Sequence, residues 1–213
     1  MPSDVELRSL MVRHQLRDRD IEDERVLAAM TRVPRHLFVP TDVREHAYAD
    51  EALPIGSDQT ISQPYMVARI CEALALTGRE RVLDVGTGSG YQAAVLAELA
   101  SEVDTIERLP ELAELAQTNL RTAGYANVRV HVGDGTRGLP DRAPFAAIAV
   151  AAAAPSVPKA LYEQLEPRGR LVVPVGKRGG QRLEVVVRSP EGPAVIRTVP
   201  CRFVPLLGEE GFR

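Results

Sequence analysis

Apolar positions along this chain change their spacing twice. Over residues 4–17 and 22–33 they recur at helical spacing, which predicts two short amphipathic helices. Ser3 and Asp20 stand where N-caps are expected, and Pro34 ends the second helix. From Arg81 the apolar positions gather into short runs near 81–85, 103–106, 128–132, 145–151 and 170–175. Helical stretches at about 90–100, 109–123 and 157–166 separate them. Nearly continuous apolar runs of this kind suit parallel strands covered on both faces. After Gly176 that alternation stops. Arg178-Gly179-Gly180-Gln181 reads as a hairpin turn joining 170–175 to 182–188. A further strand or pair over 194–206 is entered through Ser189-Pro190-Glu191-Gly192-Pro193. The prediction is an α/β fold: a doubly wound, mixed sheet of about seven strands, antiparallel at its end, with an N-terminal helical cap.

Between cap and sheet, residues 34–64 look irregular. Pro34, Pro40, Pro54 and Gly56 punctuate them, yet they are too apolar to be disordered. Long ordered loops of this kind usually carry function. A helix then runs from about Pro64 to Leu76, with proline near its first turn. No internal repeat or low-complexity linker divides the chain. Residues 1–213 are expected to form a single domain, with 1–76 as cap and 77–213 as core.

The chemistry is concentrated where two of the apolar runs end. Val82-Leu83-Asp84-Val85 runs into Gly86-Thr87-Gly88-Ser89-Gly90-Tyr91, and Val103-Asp104-Thr105-Ile106 ends in Glu107. A parallel sheet builds nucleotide-type sites at the carboxyl ends of its strands. Glycines let the chain turn sharply there and leave no Cβ between backbone and ligand. Glu107 can accept hydrogen bonds from a ribose diol. A dinucleotide fingerprint would need a third glycine at position 91, which is Tyr91. Asp84, just before the first glycine, would also repel a pyrophosphate. A phosphate-free cofactor with a positive centre fits better, and S-adenosylmethionine has a sulfonium, an α-amino group and a ribose. The plain alternative is a strand–turn–helix whose glycines only make the turn. Gly133-Asp134-Gly135 follows the run at 128–132. By itself it reads as a turn. Placed at the same sheet edge as Asp84 and Glu107, Asp134 becomes a candidate acceptor for the adenine amine, with Gly135 leaving room for the ring.

Composition narrows the partners. The chain of 213 residues is 45% apolar and 26% charged, with a formal net charge of −3 and no basic stripe, so nucleic acid is not an expected partner. The longest apolar run, Phe145 to Ala154, is too short to span a membrane. The N-terminus lacks the apolar core of a signal peptide. Cys71 and Cys201 form no C-x-x-C pair and read as free thiols of a reducing compartment, so a cytoplasmic location is expected. His14, His36, His46 and His131 show no metal-ligand spacing, and no metal site is expected.

A second informative stretch is Leu53-Pro54-Ile55-Gly56-Ser57-Asp58-Gln59-Thr60-Ile61-Ser62-Gln63-Pro64. On its own, Ser62 or Thr60 before Pro64 reads as the N-cap of the next helix. The functional alternative is a hydroxyl turn over the sheet edge that positions a methyl acceptor. No base is evident nearby, so a nucleophilic serine triad is not expected.

Together, Asp84-Val85-Gly86-Thr87-Gly88-Ser89-Gly90-Tyr91, Gln59-Thr60-Ile61-Ser62-Gln63-Pro64 and Ala152-Ala153-Ala154-Pro155 resemble the protein-L-isoaspartate O-methyltransferase family. So do the run from Val33 to Pro40 and Arg202-Phe203-Val204-Pro205-Leu206. The likeness extends from about residue 5 to residue 212, and the Thr-Ile-Ser-Gln-Pro block is its most specific part. The resemblance implies a class I, Rossmann-like methyltransferase fold. It also implies methyl transfer from S-adenosylmethionine to the free α-carboxyl of isoaspartyl residues in damaged proteins and peptides, the ester then collapsing to a succinimide. It makes Ser62 the active-site serine. Thr60 and Ile61 close over the methionine end of the cofactor. Asp84, Gly86, Thr87 and Gly88 hold that end, Glu107 the ribose, and Asp134 with Gly135 the adenine. Val204, Pro205 and Leu206 line the substrate peptide. The rival is a methyltransferase of the same sheet type with another acceptor, a small molecule or a dedicated peptide. Two positions depart from the family: Asp58 stands where glycine is frequent, and Ala146 where an acid is usual.

Overall fold

The computed structural model describes residues 2–177 and 179–213. The chain opens with α1 (Asp4–Met11), which continues through a π-helical turn at Val12–Arg17. Ser3 caps α1: its hydroxyl accepts from the Glu6 N–H, and the Glu6 carboxylate accepts from the Ser3 N–H at 2.7 Å. This reciprocal pair satisfies two backbone donors at once. The next helix, α2 (Glu24–Arg32), starts later than the sequence pattern suggested. Asp23 caps it by accepting from the Arg25 N–H at 2.8 Å, whereas Asp20 accepts from the Tyr65 hydroxyl.

The region read as irregular holds two 3-10 turns, Arg35–Phe38 and Thr41–His46, and then a small antiparallel hairpin. Its strands are β1 (Leu53–Gly56) and β2 (Gln59–Ile61). The hairpin turn places Ser57 and Asp58 in the left-handed region, at φ 50° and 56°. Aspartate tolerates that conformation better than most non-glycine residues, which is why it can stand at position 58. Helix α3 (Pro64–Leu74) follows. Gln63 occupies its N-cap without a side-chain bond, so neither Ser62 nor Thr60 caps the helix.

The α/β alternation then proceeds as β3 (Arg81–Val85), α4 (Tyr91–Ala97), β4 (Glu102–Glu107), α5 (Pro110–Thr122), β5 (Val128–Val132), β6 (Phe145–Val150), α6 (Lys159–Glu163) and β7 (Leu165–Val175). Two antiparallel strands, β8 (Gln181–Ser189) and β9 (Gly192–Cys201), complete a seven-stranded sheet of order β5-β4-β3-β6-β7-β8-β9. Strands β3 to β7 pair in parallel. Arg178 of the expected hairpin turn lies outside the described residues, while Gly179 and Gly180 lead directly into β8. The last strand ends at Cys201, short of the expected residue 206. Beyond it, Pro205 forms an isolated parallel bridge with Ala153.

Sequential strands run outward in one direction from β3 and in the other from β6. The sheet therefore reverses its order between these two strands, and an open α/β sheet leaves a ligand crevice at that point. One buried apolar cluster joins α1, α2, α3 and α4 to one face of the sheet, from Met11 to Val185. A second covers the other face under α6, around Leu83, Ile148, Leu161 and Leu171. Both faces of the central strands are thus dry, and their exposed chemistry is confined to their ends.

Candidate active site

The crevice lies over the carboxyl ends of β3, β4 and β6. Gly86, at φ 91°, turns the chain away from β3, and Gly90, at φ 89°, occupies the N-cap of α4. Side chains with a Cβ rarely adopt these conformations, which explains the alternating glycines. Close packing adds a further constraint at Gly135, where a Cβ would stand 2.7 Å from a Val85 methyl. The cleft is lined by Thr60, Ile61, Ser62, Gly86, Thr87, Gly88, Glu107, Gly135, Val204, Pro205 and Leu206. The sequence pattern and the family resemblance together singled out all eleven.

Two of the three expected acids occupy less direct positions. Asp84 is wholly buried beneath the cleft and does not line it. Its Oδ1 accepts from Gln92 Nε2 at 2.7 Å and its Oδ2 from Thr105 Oγ1 at 2.9 Å. Burial pushes its pKa up to about 6, and the nearby Glu107 charge adds to the rise. The two hydrogen bonds oppose it. Asp134 also lies outside the lining. Its Oδ1 accepts from the Thr136 N–H and hydroxyl, and its Oδ2 from the Glu209 N–H. Burial opposes ionisation there, but these bonds, helped by Arg137, hold its pKa below the ordinary value. Asp134 thus anchors the C-terminal segment against the cleft edge. Glu107 is the acid on the cleft surface. Its Oε2 accepts from the Gly88 N–H and its Oε1 from the Leu109 N–H, both at 3.0 Å. A carboxylate has about four acceptor sites, so each oxygen keeps one for a ligand hydroxyl.

Ser62 stands at the junction with a second, wider chamber. Thr60, Ser62, Ala151, Val204, Pro205 and Leu207 line both cavities. The Ser62 hydroxyl has no hydrogen-bond partner among the described residues. The far wall is fixed from both sides. The Ala153 N–H donates to the Val204 carbonyl at 2.8 Å, and the Leu206 N–H to the Ala153 carbonyl at 2.7 Å. The Gln181 carboxamide brackets Phe203, donating to its carbonyl at 3.1 Å and accepting from its N–H at 2.6 Å.

The sequence pattern did not single out Gln92, Thr105 or Gln181. Gln92 is the polar residue in α4, a helix whose every residue is buried, and it lines the cleft. A lone amide in such an apolar helix was a visible signal. Its Nε2 is spent on Asp84, which fixes the amide orientation, and its Oε1 is buried without a partner. Tyr91 also lines the cleft, and behind it the fully buried Arg35 guanidinium stacks 4.7 Å from the ring. That contact connects the Val33–Pro40 motif of the cap to the cleft wall. No group of three or more His, Cys, Asp or Glu among the described residues could hold a metal ion.

The reversal at β3 and β6, the glycine turn and the acids around it define a class I, S-adenosylmethionine-type methyltransferase fold. Comparison with known proteins narrows this. A profile of the protein-L-isoaspartate(D-aspartate) O-methyltransferase family matches residues 7–211, and the chain belongs to that family. It is 56% identical over 209 residues to protein-L-isoaspartate O-methyltransferase 2 of Marinobacter nauticus, covering 97% of this chain and 95% of that one. It is 57% identical over 190 residues to the protein-L-isoaspartate O-methyltransferase of Roseiflexus castenholzii, covering 89% and 87%. Among solved structures, a putative protein-L-isoaspartate O-methyltransferase from Plasmodium falciparum, in complex with S-adenosyl-L-homocysteine, superposes with a TM-score of 0.80. It has 25% identity and covers 94% of this chain and 98% of that one.

Proposed function

We propose that this chain transfers a methyl group from S-adenosylmethionine to the α-carboxyl of isoaspartyl residues in damaged proteins and peptides. The observation that carries the reading is the juxtaposition of two chambers. One carries the Glu107 carboxylate on its surface with Asp84 buried beneath, the other is open, and an uncommitted serine hydroxyl stands where they meet. The cleft suits the cofactor on its own evidence. Glu107 has free acceptor sites for a ribose diol, Gln92 Oε1 is a buried acceptor without a donor, and no ion pair among the described residues neutralises Asp84 or Glu107.

When bound, S-adenosylmethionine supplies a methyl carbon activated by its sulfonium. Glu107 would hold the ribose hydroxyls, Gly86, Thr87 and Gly88 the methionine end, and Thr60 and Ile61 close over it. Asp84 acts from below as a negative charge steadied by Gln92 and Thr105, and it favours a cationic ligand above. Gly135, its backbone packed against Val85, would line the adenine end, with Asp134 bracing the same edge. Val204, Pro205 and Leu206 present the acceptor strand. An isoaspartyl α-carboxyl with a pKa of about 3.3–3.7 is ionised at neutral pH, so no general base is required. The cofactor would supply the methyl carbon for a new bond to the carboxylate oxygen, with the electron pair of the broken C–S bond staying on sulfur. Ser62 would donate a hydrogen bond that orients the attacking carboxylate oxygen. Charge is neutralised along this path, so a site shielded from water favours it.

The free thiols Cys71 and Cys201 suit a cytoplasmic setting. No helix among the described residues is long and apolar enough to cross a membrane. The test is incubation with methyl-labelled cofactor and matched isoaspartyl and aspartyl peptides. Base-labile label on the isoaspartyl peptide alone is expected. Label on both, or on neither, overturns the proposal.

A further inference from the structure

The acceptor chamber has an electrostatic character that methyl transfer does not require. Its lining includes two arginines, Arg202 and Arg213, and no aspartate or glutamate. Both arginines are exposed, and neither has a hydrogen bond or ion pair to another described residue. Three acids near the lining along the chain are engaged elsewhere, whereas Glu51, beside the lining residue Ala52, is exposed and stands outside the lining. Asp50 pairs with Arg19 at 2.8 Å, Glu209 faces Arg137 at 3.5 Å, and Glu210 accepts from the Ala160 N–H at 3.0 Å. Several exposed arginines of the cap do have a carboxylate partner, for example Arg17 with Glu24 and Arg32 with Glu98. In a chain of net charge −3, a concave surface with two unpaired cations and no acid is a local exception.

Arg202 is also held in place. It directly precedes Phe203, whose peptide groups the buried Gln181 carboxamide grips on both sides. Val204 follows, fixed to Ala153. The backbone from which the guanidinium projects is therefore rigid, and the same segment carries the wall that meets Ser62. A peptide laid in this chamber with its isoaspartyl carboxylate at Ser62 brings its neighbouring side chains toward these cations.

We propose that Arg202, assisted by Arg213, determines sequence preference: the enzyme favours isoaspartyl sites flanked by acidic side chains. This deepens the methyltransferase reading and rests on it. Acidic flanks would gain from Coulomb attraction, and basic flanks would lose. Because the cations are exposed, each pairing is modest and screened by salt.

The test measures KM for isoaspartyl peptides that differ only at the residues on either side of the damaged position, carrying Glu, Gln or Lys. Exposed pairs of this kind predict a KM about two- to fivefold lower for the Glu than for the Lys peptide at low ionic strength. The gap should narrow as salt is raised toward about 0.3 M, where the Debye length falls to about 5–6 Å. Arg202→Gln should shrink the ratio, Arg202→Glu should invert it, and Arg202→Gln with Arg213→Gln should abolish it. The ratio is taken within each variant, so a general loss of activity cancels. Equal KM values, a preference for Lys, or a ratio unchanged in the double variant would overturn the inference while leaving methyl transfer intact. Failure to methylate any isoaspartyl peptide would instead overturn the function on which it rests.

Discussion

Asp84 and Asp104 lie on neighbouring strands, and both are almost fully buried, at 0% and 1% exposure. Their company differs completely. Asp104 accepts from His131 Nε2 at 2.7 Å and from Arg142 Nη2 at 3.1 Å, with Arg81 at 3.9 Å. Glu102 extends that network through Arg81, Arg129 and Arg142. Asp84 has only an amide and a hydroxyl, and the nearest charge acting on it is another carboxylate. A buried charge is expensive unless it is paired. Around Asp104 the protein supplies the pairing itself. Around Asp84 it does not, and the open cleft lies directly above. The difference separates an acid that the fold pairs with cations from one left with neutral partners beneath the cleft.

The contrast is sharpest under mutation. Asp104→Asn strands Arg142 and Arg81 without their buried partner, and it should cost about 3–5 kcal/mol of stability. For a chain of this size that is roughly 6–20 °C in Tm, read by thermal denaturation, with cofactor affinity unchanged in the folded fraction. A Tm within a degree of the parent would remove Asp104 from the structural side of the comparison.

Glu107→Ala acts in the opposite way. The lost charge-assisted acceptor sites should weaken cofactor binding by about 1.5–3 kcal/mol, or roughly 10- to 150-fold, with a much smaller change in Tm. Superimposable titration curves for parent and variant would show that Glu107 is only a brace for the Gly88 turn. Ser62→Ala should lower kcat by about tenfold, the scale of one lost positioning hydrogen bond, while cofactor Kd stays within about twofold. Unchanged turnover on an isoaspartyl peptide would discard that role.

The smallest effect is in pH. Asp84 has its folded pKa raised to about 6, so burial favours the protonated form. Its contribution to stability is present below the ordinary carboxyl pKa and is lost as pH rises through about 6. A cationic ligand above it reverses that preference. Affinity for S-adenosylmethionine should therefore rise several-fold between about pH 5 and 7, and Asp84→Asn should flatten the rise. A parent profile that is flat across this window would count against an ionised Asp84 beneath the cofactor.

Two of the strand ends that build the cleft were legible because they announce themselves locally: at β3 an apolar run with an acid leads into alternating glycines, and at β4 an apolar run ends in an acid. The Leu53–Ile61 hairpin was not. Its turn uses Ser57 and Asp58 in left-handed conformations, without the Asn-Gly or Asp-Gly pair that usually marks such turns. Pro54 also disguised β1. The roles of Ser62 and Thr60 as linings instead of caps depended on that hairpin, since it carries them across the sheet edge. Asp84 and Asp134 were rightly placed at the sheet edge by pattern, but whether a side chain lines a surface or lies beneath it depends on packing from distant segments. Glu209 takes one oxygen of Asp134 from 75 residues away, and spacing within one segment carries no trace of that bond.

The partition between the two chambers is a single layer of side chains, with Ser62 in it. A molecule that covalently joins an adenosine to an isoaspartyl-like peptide through a linker of a few atoms would fill both compartments at once. Its second half would bind at the effective concentration of a short tether, in the millimolar range or above. Such a conjugate should outcompete either parent ligand, and the acidity of its peptide arm would tune how firmly it stays.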